Sequence, residues 1–550
     1  MQFLIAMINL SLFLLLMLIL NRILVLIILL IFSCAKDQKK KLSIFHYNQP
    51  NIITSLDPAF AKTQNNYWAI DHLYNQLLDL DDSLKIVTEL AEKYSISNDG
   101  LSYTFQIRKN VFFHDDKCFV NGIGRELNAH DVVYSFNRLM SEELNAPGRW
   151  IFLGKLDSIM GFNASDDSTF VLKLNKPFSP LLSLLTMHYC SIVPREAVEY
   201  YGNNFREHPV GTGPFKLKKW IERQAMFLTK NMHYYKIGLP LLDGIRISFI
   251  EDRNTAYLEF MKKKIDFFSG VQSGFALQLI NSDGVLREDR KSLLKMYRGN
   301  YLNTEYIGIN PESLVDGHPL RNKYFRQALN YSLDKDLMVK SFKYGVGQAA
   351  NKGFIPAGMS SFDTCNSLGY TYNPDRAKKL LYKMDYFKNY KDSYELVLYT
   401  NKDYLDLITF VGRQWQEIGI KLRIELMETA SLREGMRNGS LNLFRASWIA
   451  DYPDEESFLT AFYGANPAPP NYTRFNNEKF NSLYQSAIQE SDLAQRQNLY
   501  REMDEILIDE APVIFLMYDQ IALFSQNNIN GIVPNSINLL KLEKVSKVMN

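Results

Sequence analysis

The sequence predicts an α/β fold with more than one lobe, and three observations support that class. A strand pattern over residues 394–399, a helix pattern over 408–419 and an alternating strand pattern over 420–426 follow one another as a βαβ unit. The chain has 550 residues, which is more than a single hydrophobic core usually serves. With 46% hydrophobic and 22% charged residues, its composition is that of an ordinary globular protein.

The first half of the chain alternates short strand and helix patterns. Periodicity predicts strands over residues 42–46 and 103–108 and helices over residues 67–80 and 128–139. The turn Asn98-Asp99-Gly100 predicts a hairpin leading into the second of these strands. Residues 111–115 are a candidate partner for the same strand.

The sequence Gly211-Thr212-Gly213-Pro214 predicts a tight bend that enters a strand over residues 215–220. A phosphate-binding loop is the alternative, but the Lys-Ser/Thr pair that such a loop needs does not follow these glycines. The bend is therefore expected to be structural.

The second half continues the alternation and contains the βαβ unit described above. The Gly, Ser, Asn and Pro content of residues 357–374 predicts a long surface connection. The remaining patterns predict helices over 257–265, 325–337 and 493–509, strands over 265–268 and 512–518, and a loop over 314–321. An apolar run over residues 441–446 predicts a buried strand, which delivers Trp448 and Asp451 to its carboxyl end.

Residues 3–33 are almost wholly apolar and allow two interpretations. A transmembrane anchor is one, because the run is long enough to span a bilayer. The other is a signal peptide over residues 1–33, with Met17 as the true start and Arg22 in its positive region. Leu30-Ile31-Phe32-Ser33-Cys34 resembles a relaxed bacterial lipobox, which favours lipidation of Cys34 and a polar tether over residues 34–41.

Several function classes are disfavoured by composition and by missing motifs. The 62 basic and 60 acidic residues leave a net charge of +2, without the basic surface that nucleic-acid binding needs. Cys118, Cys190 and Cys365 and the scattered histidines fit no metal signature, so no metal or cofactor is expected. The sequence contains neither Gly-x-Ser-x-Gly nor His-Glu-x-x-His, which makes a peptidase a weak alternative.

Seven phrases, in the same order along the chain, resemble the family 5 extracellular solute-binding proteins. These are the dipeptide- and oligopeptide-binding receptors of ABC importers, and other members bind nickel, haem or oligosaccharides. Residues 122–126 look like a small insertion relative to the family, and Asp116-Lys117 replaces its usual Asp-Gly turn. The matching phrases are residues 90–105, 108–115, 129–136, 209–215, 325–335, 448–454 and 472–480.

The resemblance implies a two-lobed fold of the type II periplasmic-binding-protein class, with a hinge of two strands. A subdomain over residues 75–205 would sit on the first lobe, and residues 304–520 would form the second lobe. The first lobe would then comprise residues 42–74, 206–303 and 521–550.

The resemblance also implies a peptide site in the cleft between the lobes. Asp451 falls where peptide-binding members have an aspartate for the ligand's ammonium group, although an Asp-x-Pro surface turn is the alternative. Ser447, Trp448 and Ile449 would pair with the ligand backbone as an added strand. Trp448 would also line a side-chain pocket, unless it is a core residue.

Further site residues follow from the same resemblance. Arg445 matches an arginine that faces ligand carboxylates, with a structural salt bridge as the alternative. The loop with Lys62, Thr63 and Gln64 would meet the other edge of the ligand. Further wall residues would be Trp150 and Tyr518.

The expected function is that of a monomeric substrate-binding lipoprotein in the bacterial cell envelope. It would face the periplasm or the outside and deliver oligopeptides to a membrane permease with ATPase subunits. The chain has no Walker A sequence and no polytopic membrane region, so the ATPase and the permease would be separate chains. A surface peptide sensor or adhesin on the same scaffold is a further alternative.

Overall fold

The computed structural model describes residues 1–33, 42–272, 274–362, 369–390 and 394–549. The chain divides into a unit that contains the N-terminal helix and a compact unit over Ile44–Val548. The predicted lipidation site, Cys34, and the tether after it lie outside the described residues, as does Cys365.

The N-terminal unit is built on one helix, α1 (Gln2–Ser33), of 32 residues. Within it, Phe3–Leu24 is long and apolar enough to cross a membrane, a test that signal sequences also pass. The predicted apolar run is therefore helical, while its role as signal peptide or anchor stays a prediction.

The second unit alternates strands and helices. The helices are α2 (Gln64–Asp71), α3 (Ala129–Met140), α4 (Leu181–Leu184), α5 (Arg195–Tyr201), α6 (Arg253–Met261), α7 (Ala276–Leu279), α8 (Lys323–Tyr331), α9 (Lys335–Phe342), α10 (Pro374–Lys383), α11 (Tyr386–Asn389), α12 (Leu405–Glu417), α13 (Thr429–Asn438), α14 (Glu456–Leu459), α15 (Glu478–Gln489) and α16 (Leu493–Glu510). The strands are β1 (Ile44–Asn48), β2 (Leu78–Leu80), β3 (Ile86–Thr88), β4 (Ala91–Ile96), β5 (Ser102–Ile107), β6 (Phe162–Asp166), β7 (Thr169–Lys173), β8 (Phe215–Ile221), β9 (Ala225–Lys230), β10 (Gly244–Ser248), β11 (Phe267–Ser269), β12 (Leu294–Ile309), β13 (Gly347–Ala349), β14 (Glu395–Thr400), β15 (Lys421–Leu426), β16 (Leu443–Ile449), β17 (Val513–Gln526), β18 (Ile529–Asn530) and β19 (Ser546–Lys547).

An 11-stranded mixed sheet runs through the second unit in the order β15-β14-β16-β12-β17-β11-β1-β10-β9-β8, with β13 paired to β17. Strands β14 and β15 are parallel and joined by α12, so the predicted βαβ unit is confirmed. A separate four-stranded sheet has the order β4-β5-β7-β6. The predicted hairpin of β4 and β5 belongs to this smaller sheet.

Two long antiparallel strands, β12 and β17, connect the two ends of the large sheet. Their pairing is regular from Leu294 to Asn300 and is interrupted before Thr304. On one side of this interruption β17 pairs with β11, and on the other side β12 pairs with β16. A strand pair with an interrupted register is a natural position for bending.

The buried side chains form two large hydrophobic clusters. One gathers side chains from Phe45 to Phe249 together with the end of the chain, and the other gathers side chains from Leu302 to Tyr518. The second cluster coincides with the range predicted for the second lobe. The lobe and subdomain boundaries themselves stay a prediction.

The predicted helix over residues 67–80 is wrong in its second half. Helix α2 ends at Asp71, and residues 78–80 form strand β2. The amides of Gly213 and Phe215 donate to the carbonyls of Leu73 and His72, so these carbonyls serve a tertiary contact rather than a helix. A Cβ atom on Gly213 would lie 2.4 Å from the Leu73 carbonyl carbon, which explains the glycine in this bend.

Two other element predictions need correction. Residues 111–115 do not pair with β5, because β4 and β7 occupy both of its edges. The helix predicted over 325–337 is divided into α8 and α9, since the Asp334 side chain accepts from the Leu337 amide and caps a new helix. By contrast, the helix predicted over 128–139 is confirmed as α3, and Asn128 caps it in a reciprocal capping box with Asp131.

Candidate functional site

The carboxyl end of strand β16 opens into two cavities that meet at Asp451. The smaller cavity has a volume of about 210 Å³ and the larger about 710 Å³. Asp451 and Tyr452 line both, and the larger volume falls within the usual range for ligand sites. The strand thus delivers its aspartate to a crevice, as the sequence predicts.

The smaller cavity lies between the first part of the chain and the strand end. Tyr67 and His188 stack on one of its walls with ring centroids 5.3 Å apart. The His188 ring also lies 3.3 Å from the Asp71 carboxylate. The remaining lining residues are Lys62, Gln64, Leu80, Thr186, Met187, Tyr301, Ile449, Ala450, Pro453, Ile537, Asn538 and Leu539.

The larger cavity lies between residues 150–178 and residues 448–489, and its lining includes six aromatic side chains. The rings of Trp150 and Tyr452 pack against each other with centroids 6.2 Å apart. At its rim, the amide and hydroxyl of Ser179 donate to the carbonyls of Ile488 and Glu490, both at 2.7 Å. These contacts bridge the two walls, so the cavity is covered on this side.

The carboxylate of Asp451 has neither a hydrogen-bond donor nor a cation in contact among the residues that the structure describes. Its side chain is exposed to the two cavities, and the protein that lines them removes part of its hydration. This desolvation, together with the negative charge of Glu456, raises the pKa of Asp451 to about 6. A carboxylate without a partner in the protein can form charge-assisted hydrogen bonds to a cationic group of a ligand.

Glu456 is a second carboxylate on the wall of the larger cavity, and the protein does satisfy it. The hydroxyls of Tyr452 and Tyr484 both donate to its oxygens. It is buried in the first turn of α14. The carboxylate of Glu456 therefore contributes negative charge near Asp451, whereas the carboxylate of Asp451 can still accept hydrogen bonds from a ligand.

Of the nine predicted binding residues other than Asp451, five line the cavities at this junction. Lys62, Gln64 and Ile449 line the smaller cavity, and Trp150 and Trp448 line the larger one. Trp448 is half-buried and donates from its indole to the Ser457 carbonyl at 2.6 Å. Their roles in binding stay predictions.

The strand edge that was predicted to receive the ligand backbone is open. Residues Ser447–Ile449 pair with β12 on one side. On the other side β14 pairs with β16 only at Phe444, and no other strand in the described part of the chain adjoins it there. Ser447 is exposed on this segment but lies outside both cavity linings.

Three predicted binding residues lie elsewhere. The guanidinium of Arg445 forms a buried ion pair with Glu305, so the structural alternative describes its contacts. Tyr518 is buried and donates to the Gly353 carbonyl at 2.8 Å, away from either cavity. Thr63 donates to Asn66 at 2.6 Å and lines a separate polar cavity of about 300 Å³. For Arg445 and Tyr518, a partner distant in sequence determines where the side chain points, whereas the partner of Thr63 is only three positions away.

Several residues that line the cavities were not predicted from the sequence. Glu456 follows Asp451 by only five positions and could have been noticed as part of an acidic cluster. Lys155 and His188 lie in loops or short turns, without a motif that distinguishes them. They line the cavities only because residues 150–190 pack near the carboxyl end of β16 in the folded chain.

A profile of the family described as bacterial extracellular solute-binding proteins, family 5 Middle, matches residues 85–469. The chain belongs to this family. It is 29% identical over 504 residues to heme-binding protein A of Haemophilus influenzae, with 88% of each chain covered. It is 25% identical over 489 residues to the glutathione-binding protein GsiB of Salmonella choleraesuis, covering 87% of this chain and 89% of that one.

Solved structures agree with this assignment. The structure of HbpA2 from Haemophilus parasuis superposes with a TM-score of 0.80 at 25% identity, covering 92% of this chain and all of that chain (100%). The predicted family, the type II binding-protein fold and the absence of an enzymatic role are thereby confirmed. The chain is the solute-binding component of an ABC transport system, a class whose partners are membrane permeases. Its lipid anchor and monomeric state stay predictions.

Proposed function

We propose that this protein binds short peptides and delivers them to an ABC permease. The single observation that supports this most is the unpaired carboxylate of Asp451 at the junction of two cavities. A peptide's N-terminal ammonium would supply the missing cation, with charge-assisted hydrogen bonds. Because every peptide has this group, a receptor that binds it can accept many sequences.

The neighbouring strand edge supports the same ligand class. The open edge of Ser447–Ile449 offers backbone groups to an extended chain. The aromatic walls of the larger cavity, including Trp150 and Trp448, suit varied side chains because their surfaces are large and rigid. Ligand contacts to both walls would favour closure by their differential affinity for the closed state.

Haem is the second candidate, because one relative is named as a heme-binding protein. His188 is a histidine in the smaller cavity, but its ring contacts Asp71 and the volume there is about 210 Å³. In the larger cavity, haem propionates would approach the carboxylates of Asp451 and Glu456, although Lys155 and Lys176 also line it. Haem would leave the carboxylate of Asp451 without a cation, whereas a peptide ammonium supplies one.

Native mass spectrometry tests the proposal on protein produced from the complete chain. We expect complexes with a pool of short peptides and weak or no complexes with the same pool after N-terminal acetylation. Haemin, added separately, should give no Soret band of a bound complex. Binding of haemin without any binding of peptides would refute the peptide assignment.

A further inference from the structure

The larger cavity contains a lysine that the protein leaves without a carboxylate in contact. Lys155 follows the short turn at Trp150 and donates to the Trp150 carbonyl at 3.0 Å. Its ammonium lies 5.2 Å from the ring centroid of Phe178. Within the described part of the chain it forms no ion pair. Two of its three donors therefore have no partner.

The surroundings make this arrangement costly in the absence of a ligand. Burial lowers the pKa of Lys155, and the more distant charge of Glu456 opposes only part of that effect. Lys155 is half-buried, so its ammonium keeps part of its hydration, and no anion among the described residues is in contact with it to replace the part that burial removes. The same cavity thus exposes one uncompensated cation and, at Asp451, one uncompensated anion.

The two charges lie on opposite walls. Lys155 belongs to the segment before β6, whereas Asp451 follows β16, and both line the cavity of about 710 Å³. An extended peptide advances about 3.3–3.6 Å per residue, so a space of this size accommodates a few residues. A short zwitterionic peptide matches the charge at both walls.

Resting on the proposed peptide function, we propose that Lys155 binds the C-terminal carboxylate of the ligand. Asp451 and Lys155 would then fix both ends of one short peptide, and the aromatic residues between them would contact its side chains. The ligand class becomes short peptides with free termini, because a longer chain places its carboxylate beyond the cavity.

A nearby lysine provides a matched control. Lys173 on β7 lies outside the linings of both cavities, and its ammonium is 3.8 Å from the Asp157 carboxylate. Replacing it by methionine removes the same charge from a neighbouring segment that does not line the site. Lys155→Met retains the apolar stem against Phe178, so its packing is preserved while its charge is lost.

Isothermal titration calorimetry tests the assignment with two synthetic peptide pools. Each pool contains tripeptides and tetrapeptides without Asp or Glu. One pool has free C-termini and the other has C-terminal amides. We expect amidation to weaken binding to the wild-type protein roughly ten- to a hundred-fold, as for loss of a charge-assisted hydrogen bond. Lys155→Met should abolish the difference between pools, Lys155→Arg should retain it, and Lys173→Met should leave it nearly unchanged.

The outcomes separate this inference from the peptide function. Equal binding of both pools to the wild-type protein would overturn the role of Lys155 and leave peptide binding intact. A preference for free C-termini that persists in Lys155→Met would also overturn it. Failure of both pools to bind the wild-type protein would refute the proposed function and this inference together. Thermal unfolding of each variant identifies any loss of folding.

Discussion

Arg445 and Asp451 are six positions apart near one strand end, yet only the charge of Arg445 has an opposite charge in contact among the described residues. Arg445 is buried and its guanidinium is neutralised by Glu305 on the adjacent strand β12. Asp451 faces two cavities and has no cation in contact among the described residues. When the protein itself supplies the opposite charge, an ionisable group contributes to the fold. When it supplies none, the group is available to bind a ligand.

The network around Arg445 clarifies its structural role. Asn303 donates to Glu305 at 3.2 Å and to Asp519 at 2.5 Å, and Lys343 pairs with Asp519 at 2.8 Å. Asn303, Glu305 and Asp519 lie on β12 and β17, close to the interruption in their pairing. The buried charges thus fix the strands at the predicted hinge rather than meeting the ligand.

The largest expected effect is on stability, in Arg445→Met. Glu305 would remain as a buried carboxylate without its partner, which should lower the free energy of unfolding by about 3–5 kcal/mol. Urea denaturation measures the change. The double variant Arg445→Met with Glu305→Leu should recover most of the loss. A stable Arg445→Met protein with impaired peptide binding would show instead that Arg445 faces the ligand.

The next effect is on affinity, in Asp451→Asn. Loss of the charge-assisted bond to the ammonium should weaken peptide binding by a factor of roughly 10 to 150. Stability at neutral pH should be unchanged or higher, because an uncompensated carboxylate is removed. Calorimetric titration measures the affinity, and N-acetylated peptides serve as the control because they should not distinguish the two proteins. Undiminished binding of free peptides would exclude the ammonium role.

The affinity for peptides should also depend on pH. The pKa of Asp451 without ligand is raised to about 6, and a bound ammonium would lower it, since it favours the ionised form. Affinity should therefore be level between about pH 6 and 7, where the α-amino group of a peptide, with a pKa of about 7.7–8.0, is still protonated. It should fall as the pH decreases through about 6, by at most about ten-fold per pH unit. Titrations from about pH 5 to 7 measure the profile. Asp451→Asn should remove this step, and an affinity that rises on acidification would contradict the mechanism.

The smallest expected effect is a displacement of this profile in Glu456→Gln. Removing the second negative charge lowers the pKa of Asp451, although desolvation remains its larger cause. The midpoint of the pH profile should therefore move to lower pH by a fraction of a unit. Tyr484→Phe is the matched control, because it removes a hydrogen bond to Glu456 without changing the charge. An unmoved midpoint would show that Glu456 does not influence Asp451.

Much of the fold could be predicted because it follows from local patterns. The βαβ unit of β14, α12 and β15 follows from its alternation and spacing, and the Asn128 cap from its side chain. The helix predicted over residues 67–80 was wrong because the carbonyls of His72 and Leu73 accept from residues 140 or more positions away. Periodicity contains no information about such distant acceptors.

The sequence by itself determined the family, the α/β class and the strand that delivers Asp451 to a crevice. Only the tertiary structure decided which charges are compensated. Arg445 meets a glutamate 140 positions away, while Asp451 and Lys155 are brought to one cavity from separate parts of the chain. Strand and helix patterns arise from neighbouring residues, but the compensation of a charge depends on groups that folding brings together, and it is this that distinguishes a binding residue from a structural one.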